Sequence, residues 1–393
     1  MQGRVLGAAL TSLTLSALVL GGCATKPPAQ VRSETRPAAR PPLPPLAPPL
    51  TYERPSRPTA EPEAANARRL PVTALPGWEA EDHAAALAAF RETCGVARDP
   101  DMAQLCRAAR AIGTLHRDLS RRFFEANFRA EREPGEGVLT AYFSPEYPAR
   151  RRPSEVFSAP LRARPGDLRP ADPTRPDPSA SGPPAYFDRS TIEASPPDKA
   201  LAWMRPEDLF FLQIQGSGVL TLDNGRRMKA VYAANNGWPF VGIANPMRDR
   251  GLLARDNTSA EAIRGWLADH RGPEAQAIMQ LNPRYAFFSL APDDGRQPVG
   301  SANIPLAAGR SLAVDPGYHQ MGELYWVDAN APILNGAFPA YRRVAMALDT
   351  GGAIKGDVRA DLYLGVGSAA GLEAGRVRHT LRLYRLVPKD AGL

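Results

Sequence analysis

Three aspartates stand in two short stretches of the C-terminal third. Asp315 closes the segment 309–316. Asp349 opens Asp349-Thr350-Gly351-Gly352-Ala353-Ile354-Lys355-Gly356, and Asp361 follows twelve residues later in Arg359-Ala360-Asp361-Leu362-Tyr363. Carboxyl groups held close together are suited to proton transfer. Burial or a neighbouring negative charge raises the pKa of one of them, so that it keeps a proton near neutral pH and can act as an acid. Lys355 and Arg359 would oppose that shift if they pointed at the same group, so they are expected to pair with Asp349 or with the main chain. A second set of candidates is Gln213, Gln215, Gly216 and Ser217. Two amides beside glycines that allow close approach are suited to the hydroxyl and N-acetyl groups of a sugar. Asn236 and Trp238 extend that pattern with an amide and an aromatic face. The competing account of the Asp349 stretch is a solvated hairpin whose aspartates only form turns. For Trp238 it is burial in the core.

These residues need elements to hold them. Apolar residues 344–348, the glycine-rich connection and residues 359–363 read as strand, tight turn, strand. Residues 208–220 read as a strand with Gln213 and Gln215 on one face and Leu212 and Ile214 on the other. Asp223-Asn224-Gly225 is a hairpin signal leading into a partner strand at 228–232. Residues 137–145 alternate as a half-buried strand stopped by Pro145. The segment 307–316 is another strand, which pairs naturally with 321–328. Helical spacing appears at 79–94, 101–112, 115–128 and 257–269, with Leu115, Leu119 and Phe123 along one face. Ser190-Thr191-Ile192-Glu193 has the capping-box pattern of a short helix. Residues 150–187, rich in Arg, Pro, Asp and Ser, read as a long irregular excursion.

The chain has 393 residues, a net charge of +7 and 44% hydrophobic residues, enough for two domains with proper cores once the N-terminus is set aside. Residues 1–22 read as a signal segment: a short cationic start, then an apolar run from Val5 to Leu20 that is too short for a comfortable membrane span. The run ends in Leu20-Gly21-Gly22-Cys23, which resembles a bacterial lipobox with Cys23 as the lipidated residue. Ala24 after it favours the outer membrane, facing the periplasm. Export removes nucleic acid as a partner of the basic surface and leaves anionic lipid or an acidic cell-wall polymer. Residues 23–71 are a Pro-rich linker that cannot bury a core and gives a catalytic body reach. Cys94 and Cys106 are candidates for a disulfide in an oxidising compartment, the alternative being two unpaired buried thiols. His83 and His116 lack metal-ligand spacing, no nucleotide-binding loop is visible, and neither a metal nor a cofactor is expected.

Four uncommon segments, Gln213-Ile214-Gln215-Gly216-Ser217-Gly218, Asn282-Pro283-Arg284-Tyr285-Ala286-Phe287-Phe288, the strand ending in Asp315, and Asp349 to Gly356 with Asp361, together resemble the membrane-bound lytic murein transglycosylase A family. The likeness runs over residues 130–390. It implies a mainly β fold with a few N-terminal helices. A double-psi β-barrel domain would be built from 72–145 and 299–393, with a three-aspartate domain at the C-terminus. Residues 146–298 would be an inserted, second β-barrel-like domain, and the substrate groove would run between the two. It also implies a peptidoglycan lyase of the exotransglycosylase type. Such an enzyme cleaves the β-1,4 bond between N-acetylmuramic acid and N-acetylglucosamine and leaves 1,6-anhydromuramyl ends. Asp361 would be the single acid and base, supported by Asp349, Asp315 and Lys355, with Thr140, Tyr142, Gln213, Gln215, Gly216, Ser217, Asn236 and Trp238 toward the glycan. Peptidoglycan strands are the partner, with the outer-membrane lipid anchor and cell-wall synthesis or scaffold proteins beside them. The chain departs from the family pattern at Thr140-Ala141-Tyr142-Phe143, usually Thr-Gly-Tyr-Tyr, and at Trp238. Both departures bear on subsites rather than on the chemistry. The rival enzymatic reading is an inverting hydrolase with Asp349 or Asp315 as base across a gap of about 6.5–9.5 Å. A non-catalytic cell-wall-binding lipoprotein is a further rival. An aspartic protease would need two Asp-Thr-Gly triplets, and this chain has one.

Overall fold

The computed structural model describes residues 69–168, 186–197, 199–254, 257–332 and 338–389. Cys23, the signal segment and nearly all of the Pro-rich linker lie outside the described residues. Arg69–Pro71, read as the end of that linker, is instead strand β1, and it pairs antiparallel with β2 (Phe128–Arg132). Three helices lie between them: α1 (His83–Thr93), α2 (Pro100–Ala111) and α3 (Arg117–Asn127). Each of the first two starts where a side chain satisfies free backbone donors, Asp82 accepting from Ala85 N and Asp99 from Asp101 N and Met102 N. Phe90, Phe123, Phe124 and Phe128 pack against one another beneath them. Leu119, expected on that buried face, is 36% exposed. Cys94 and Cys106 are joined by a disulfide that ties the end of α1 to α2.

After β3 (Gly137–Ser144) the chain leaves the first sheet and builds the inserted region. Its elements are β4 (Glu146–Pro148), β5 (Ala159–Arg162), α4 (Arg189–Ala194), β6 (Ala200–Met204), α5 (Pro206–Gln215), β7 (Ser217–Thr221) and β8 (Arg227–Asn235). Helices α6 (Ala244–Asp249), α7 (Ala260–Asp269) and α8 (Pro273–Met279) and strand β9 (Ala286–Pro292) complete it. The strands form a sheet in the order β4-β7-β8-β9 and a separate pair β5-β6, so part of the supposed irregular excursion is a strand. Helices are therefore not confined to the N-terminal part. Helix α4 is capped by Asp188, whose carboxylate accepts from Thr191 N, rather than by Ser190. Arg189, 2% exposed, anchors this region from within: it donates to the carbonyls of Asn282 and Arg284 and pairs with Glu193.

The chain then returns as β10 (Ser311–Val314), β11 (Leu324–Pro332), β12 (Ala340–Thr350), β13 (Arg359–Val366), α9 (Ser368–Ala374) and β14 (Arg378–Pro388). The large sheet runs β1-β2-β14-β11-β12-β10-β13-β3, and a further pairing of β14 with β3 closes six strands into a ring. Two neighbours in that ring are parallel, β10 with β12 and β13 with β3. The sequence-based pairing of β10 with β11 is not found. β11 lies between β12 and β14, and β10 lies between β12 and β13. Consequently the strands on either side of the Gly351-Gly352 connection are not a hairpin, because β10 is threaded between them.

The reason β11 and β12 read as almost unbroken apolar runs is that both of their faces are covered. Tyr325, Val327, Ala329, Ala345 and Ala347 fill the ring with Leu139, Leu312, Leu362 and Leu383. Leu324, Trp326, Val344, Met346 and Leu348 point the other way, into a core shared with Trp78, Leu87, Phe90 and Phe124. Burial of each such large side chain stabilises the fold by about 1.5–3 kcal/mol. The helical layer is thus fastened to the outside of the ring. A bidentate pair between Arg310 and Glu81, at 2.8 and 2.9 Å, adds a polar tie, with Val344 N donating to the same carboxylate at 2.6 Å.

Candidate active site

The pairing of strands brings the candidate acids together. Ala313 of β10 faces Asp349 of β12 on one side and Asp361 of β13 on the other. Leu312 and Leu362 are paired inside the ring, so the next residues, Ala313 and Asp361, turn to its outer face. On β12 simple alternation would put Asp349 inside with Ala347. The register between β10 and β12 slips by one residue at this point, with Leu312 opposite Ala347 and Ala313 opposite Asp349. The extra residue turns Asp349 to the same face as Asp361, which is what an irregularity of this kind does beside a site.

Asp361 is half-buried, with protein packed closely around its carboxyl group. Thr140 of β3, its neighbour in register, donates its hydroxyl to Asp361 Oδ1. Burial raises the carboxyl pKa above the usual aspartate range. Arg359 and the Thr140 hydroxyl pull it back, and the Asp349 charge adds to the rise. Arg359 does not cap the carboxylate. Its Nη2 donates to Thr140 Oγ1 at 2.8 Å and its Nη1 to the carbonyls of Ala360 and Val138 at 2.5 and 3.4 Å.

Asp349 is held differently. Ser301 N, Ser301 Oγ and Thr350 N donate to its Oδ1 at 2.9, 2.7 and 2.9 Å, and Tyr142 Oη donates to its Oδ2 at 2.8 Å. Burial, then the charge of Asp349, keeps the Tyr142 phenol protonated far above its ordinary range. The loop carrying Ser301 reaches the strand because Gly300 has no side chain; a Cβ there would lie 2.6 Å from Leu348 O. Asp315, 8% exposed, accepts from Gly317 N on one oxygen and Gly356 N on the other, at 3.0 and 2.9 Å, and so steadies the connection from β12 to β13. Lys355 is exposed in that connection.

The amides do not stand as expected. Residues 206–215 are helix α5, not a strand, so Gln213 and Gln215 do not share a strand face. Pro206 at its first turn, acidic Glu207 and Asp208 beside it, and Gly216 as a left-handed cap are helix signals that outweigh the β-like run Leu209-Phe210-Phe211-Leu212. Gln215 Oε1 accepts from Phe143 N at 3.1 Å, Gln213 Nε2 donates to Ala286 O at 3.4 Å, and Ser217 opens β7. Gln215 therefore fastens the inserted region to β3, next to Tyr142. Asn236 is buried: Nδ2 donates to the carbonyls of Phe187 and Pro283, and Oδ1 accepts from Tyr285 N and Trp238 N. Its hydrogen-bonding capacity shapes the loop. Trp238 is half-buried, its Nε1 donating to Tyr186 O at 3.1 Å. Arg284 donates from Nη1 to Trp238 O at 3.0 Å, and its guanidinium lies 3.1 Å from where a Cβ on Gly352 would be. Inserted region and Gly351-Gly352 connection meet there. Neither Ser301 nor Arg284 carries a sequence signal for these contacts beyond a neighbouring glycine and proline.

Comparisons with known proteins agree with this geometry. A family model described as the MltA specific insert domain matches residues 138–289, and the 3D domain model matches 310–387. The chain is 31% identical over 257 residues to the membrane-bound lytic murein transglycosylase A of Vibrio cholerae and 33% identical over 185 residues to that of Escherichia coli K12. These alignments cover 64% and 46% of this chain, and 66% and 49% of the two relatives. The crystal structure of a membrane-bound lytic murein transglycosylase from Agrobacterium tumefaciens shares 32% identity and a TM-score of 0.68, covering 81% of this chain and 97% of that one. Neisseria gonorrhoeae MltA superposes with a TM-score of 0.67 at 28% identity, over 82% of this chain and 93% of that one. E. coli MltA with bound chitohexaose does so with a TM-score of 0.59 at 25%, over 81% and 91%. With a double-psi ring, an insertion after β3 and three aspartates around β10, this chain belongs to the membrane-bound lytic murein transglycosylase A family.

Proposed function

We propose that the protein is a lytic transglycosylase of peptidoglycan, with Asp361 as its single acid and base. Protonated Asp361 gives its proton to the oxygen that leaves with N-acetylglucosamine, as the bond to C1 of N-acetylmuramic acid breaks. The C6 hydroxyl of the same muramyl residue then closes on C1 and returns a proton to the Asp361 carboxylate. The nucleophile belongs to the substrate, so no second carboxylate has to act and no water is consumed.

The observation that carries this reading is the unequal use of the three aspartates. Asp349 accepts four hydrogen bonds and Asp315 has both oxygens on backbone amides, whereas Asp361 has one oxygen without a hydrogen-bond partner among the described residues. An inverting hydrolase needs a free general base facing a water, and neither Asp349 nor Asp315 is free. Asp349 supports the reaction through its charge, which favours the protonated form of Asp361. The chitohexaose bound by the E. coli relative supports a glycan as the ligand. Asp361→Asn should lower turnover of purified sacculi by about 10²–10⁴-fold. Mass spectrometry of the wild-type products should find 1,6-anhydro ends. Reducing ends in their place, or wild-type release by the variant, would refute the reading.

A lipid on Cys23 is the second part of the proposal, supported by the lipobox-like Leu20-Gly21-Gly22-Cys23 and by the membrane-bound description of the relatives. Among the described residues no helix is long and apolar enough to cross a membrane. An outer-membrane attachment with the Pro-rich segment as spacer lets the enzyme work on the cell wall from the periplasmic side.

A further inference from the structure

The donors around Asp361 have a direction that follows from counting protons. An arginine only donates, so at 2.8 Å from Arg359 Nη2 the Thr140 hydroxyl is an acceptor. The one proton of that hydroxyl is then directed to Asp361 Oδ1. Arg359 cannot swing away easily, because its Nη1 is tied to the carbonyls of Val138 and Ala360 on the two strands that carry Thr140 and Asp361. Asp361 Oδ1 is thus a fixed acceptor, and Oδ2 is the oxygen left to carry a proton.

We propose that Thr140 and Arg359 are positioning residues for Asp361: they orient its carboxyl group so that the transferred proton leaves from Oδ2 and returns to Oδ2, while Oδ1 stays an acceptor throughout. The inference rests on Asp361 being the acid and base of the reading above, and it moves Thr140 from a glycan contact to a partner of the acid. In the first step the Oδ2–H bond breaks, the proton goes to the glycosidic oxygen, and the C1–O electron pair leaves with N-acetylglucosamine. In the second the C6 oxygen bonds to C1 and its proton goes to Oδ2, restoring the acid. Holding one oxygen still means that the carboxyl group need not rotate between the steps.

The groups around Asp361 come from several strands. Arg359 on β13, Thr140 on β3 and Asp349 on β12 act on it directly. Tyr142 of β3 feels its charge, and Arg378 of β14 pairs with Thr140 and acts on Arg359. Thr140 and Arg359 favour the carboxylate and Asp349 favours the acid. Removing the hydroxyl takes one donor from the carboxylate, so the acid should keep its proton to higher pH.

The test is the pH profile of turnover on sacculi for the full chain, wild type against Thr140→Val, Thr140→Ser, Arg359→Met and Asp361→Asn. Thr140→Val keeps the β-branched shape that suits a strand. It should lower kcat about tenfold or more with little change in KM, because orientation rather than binding is lost. The high-pH limb of kcat should move up by about one unit, Thr140→Ser should restore both, and Arg359→Met should move the limb the same way. The position of the limb does not depend on how much enzyme is folded, so a partly unfolded variant still reports. A Thr140→Val limb at the wild-type position, or a Thr140→Ser variant that behaves like Thr140→Val, would overturn the inference while an inactive Asp361→Asn left the proposed function standing. An active Asp361→Asn would overturn both.

Discussion

A carboxyl group that must hold a proton near neutral pH needs surroundings that disfavour its charge, and the fold bears that cost. Burial raises the Asp361 pKa above its unfolded value of about 3.9. Between the two values the folded state binds more protons than the unfolded one, so this group's contribution to stability falls as pH rises through that window and stays low above it. Asp361→Asn removes the charge and should melt at a higher temperature than the wild type at pH 7. The advantage should shrink as pH falls through the folded pKa and vanish below about 3.9; thermal melts of both proteins across pH would measure it. A variant equal to or below the wild type at neutral pH would mean that the carboxylate is not strained. Asp349 stands in contrast, its two oxygens accepting four hydrogen bonds. Sequence reading alone distinguishes these two acids only through family likeness, since both sit beside apolar residues at strand ends. What separates them is which donors reach them, and apart from Thr350 N those come from residues 140, 142 and 301, far away in the chain.

At the level of elements, the close pairing of β3 and β13 holds the acid beside its partners, and it depends on Gly137. A Cβ there would lie 1.6 Å from Val358 O, the carbonyl that accepts from Val138 N at 3.2 Å. Gly137→Ala should therefore destabilise the fold by more than about 3 kcal/mol and reduce turnover with it, read from a thermal melt and a sacculus assay. An unchanged melt would show that the strands can part here without loss. Much of the local structure was legible: α1, α2, α3 and α7 lie within a few residues of their periodic patterns, and the β7–β8 hairpin sits at Asp223-Asn224-Gly225. The strand reading of 208–215 failed because a short apolar run fits a buried strand or a buried helix equally well. The cap signals of Pro206 and Gly216 were the arbiters. Strand partners were less legible still. The position of β10 between β12 and β13 is a crossover, and no local pattern announces a crossover.

For the molecule as a whole, the proposed function puts attachment and catalysis in different parts of the chain. Cys23→Ser should move the protein from the membrane to the soluble periplasmic fraction without changing kcat on soluble glycan fragments. Fractionation with the wild type as control would check it, and a variant that stays with the membrane would remove the lipid from the account. Basic charge, a net +7, favours encounter with an anionic wall whichever way the protein is attached. The ring also has a consequence for timing. Its six strands are β3 and β10 to β14, and β14 (Arg378–Pro388) is both the last to be synthesised and the one that closes the circle, by pairing with β3 more than two hundred residues earlier. Thr140 and Asp361 are likewise 221 positions apart. Contacts of such long range form late and only together. Until β14 has paired with β3, Thr140 and Asp361 are not held together, so on the proposed function the chain has no assembled acid to act with. A wall-cutting enzyme, as proposed, is thereby silent until the last strand of its ring has paired.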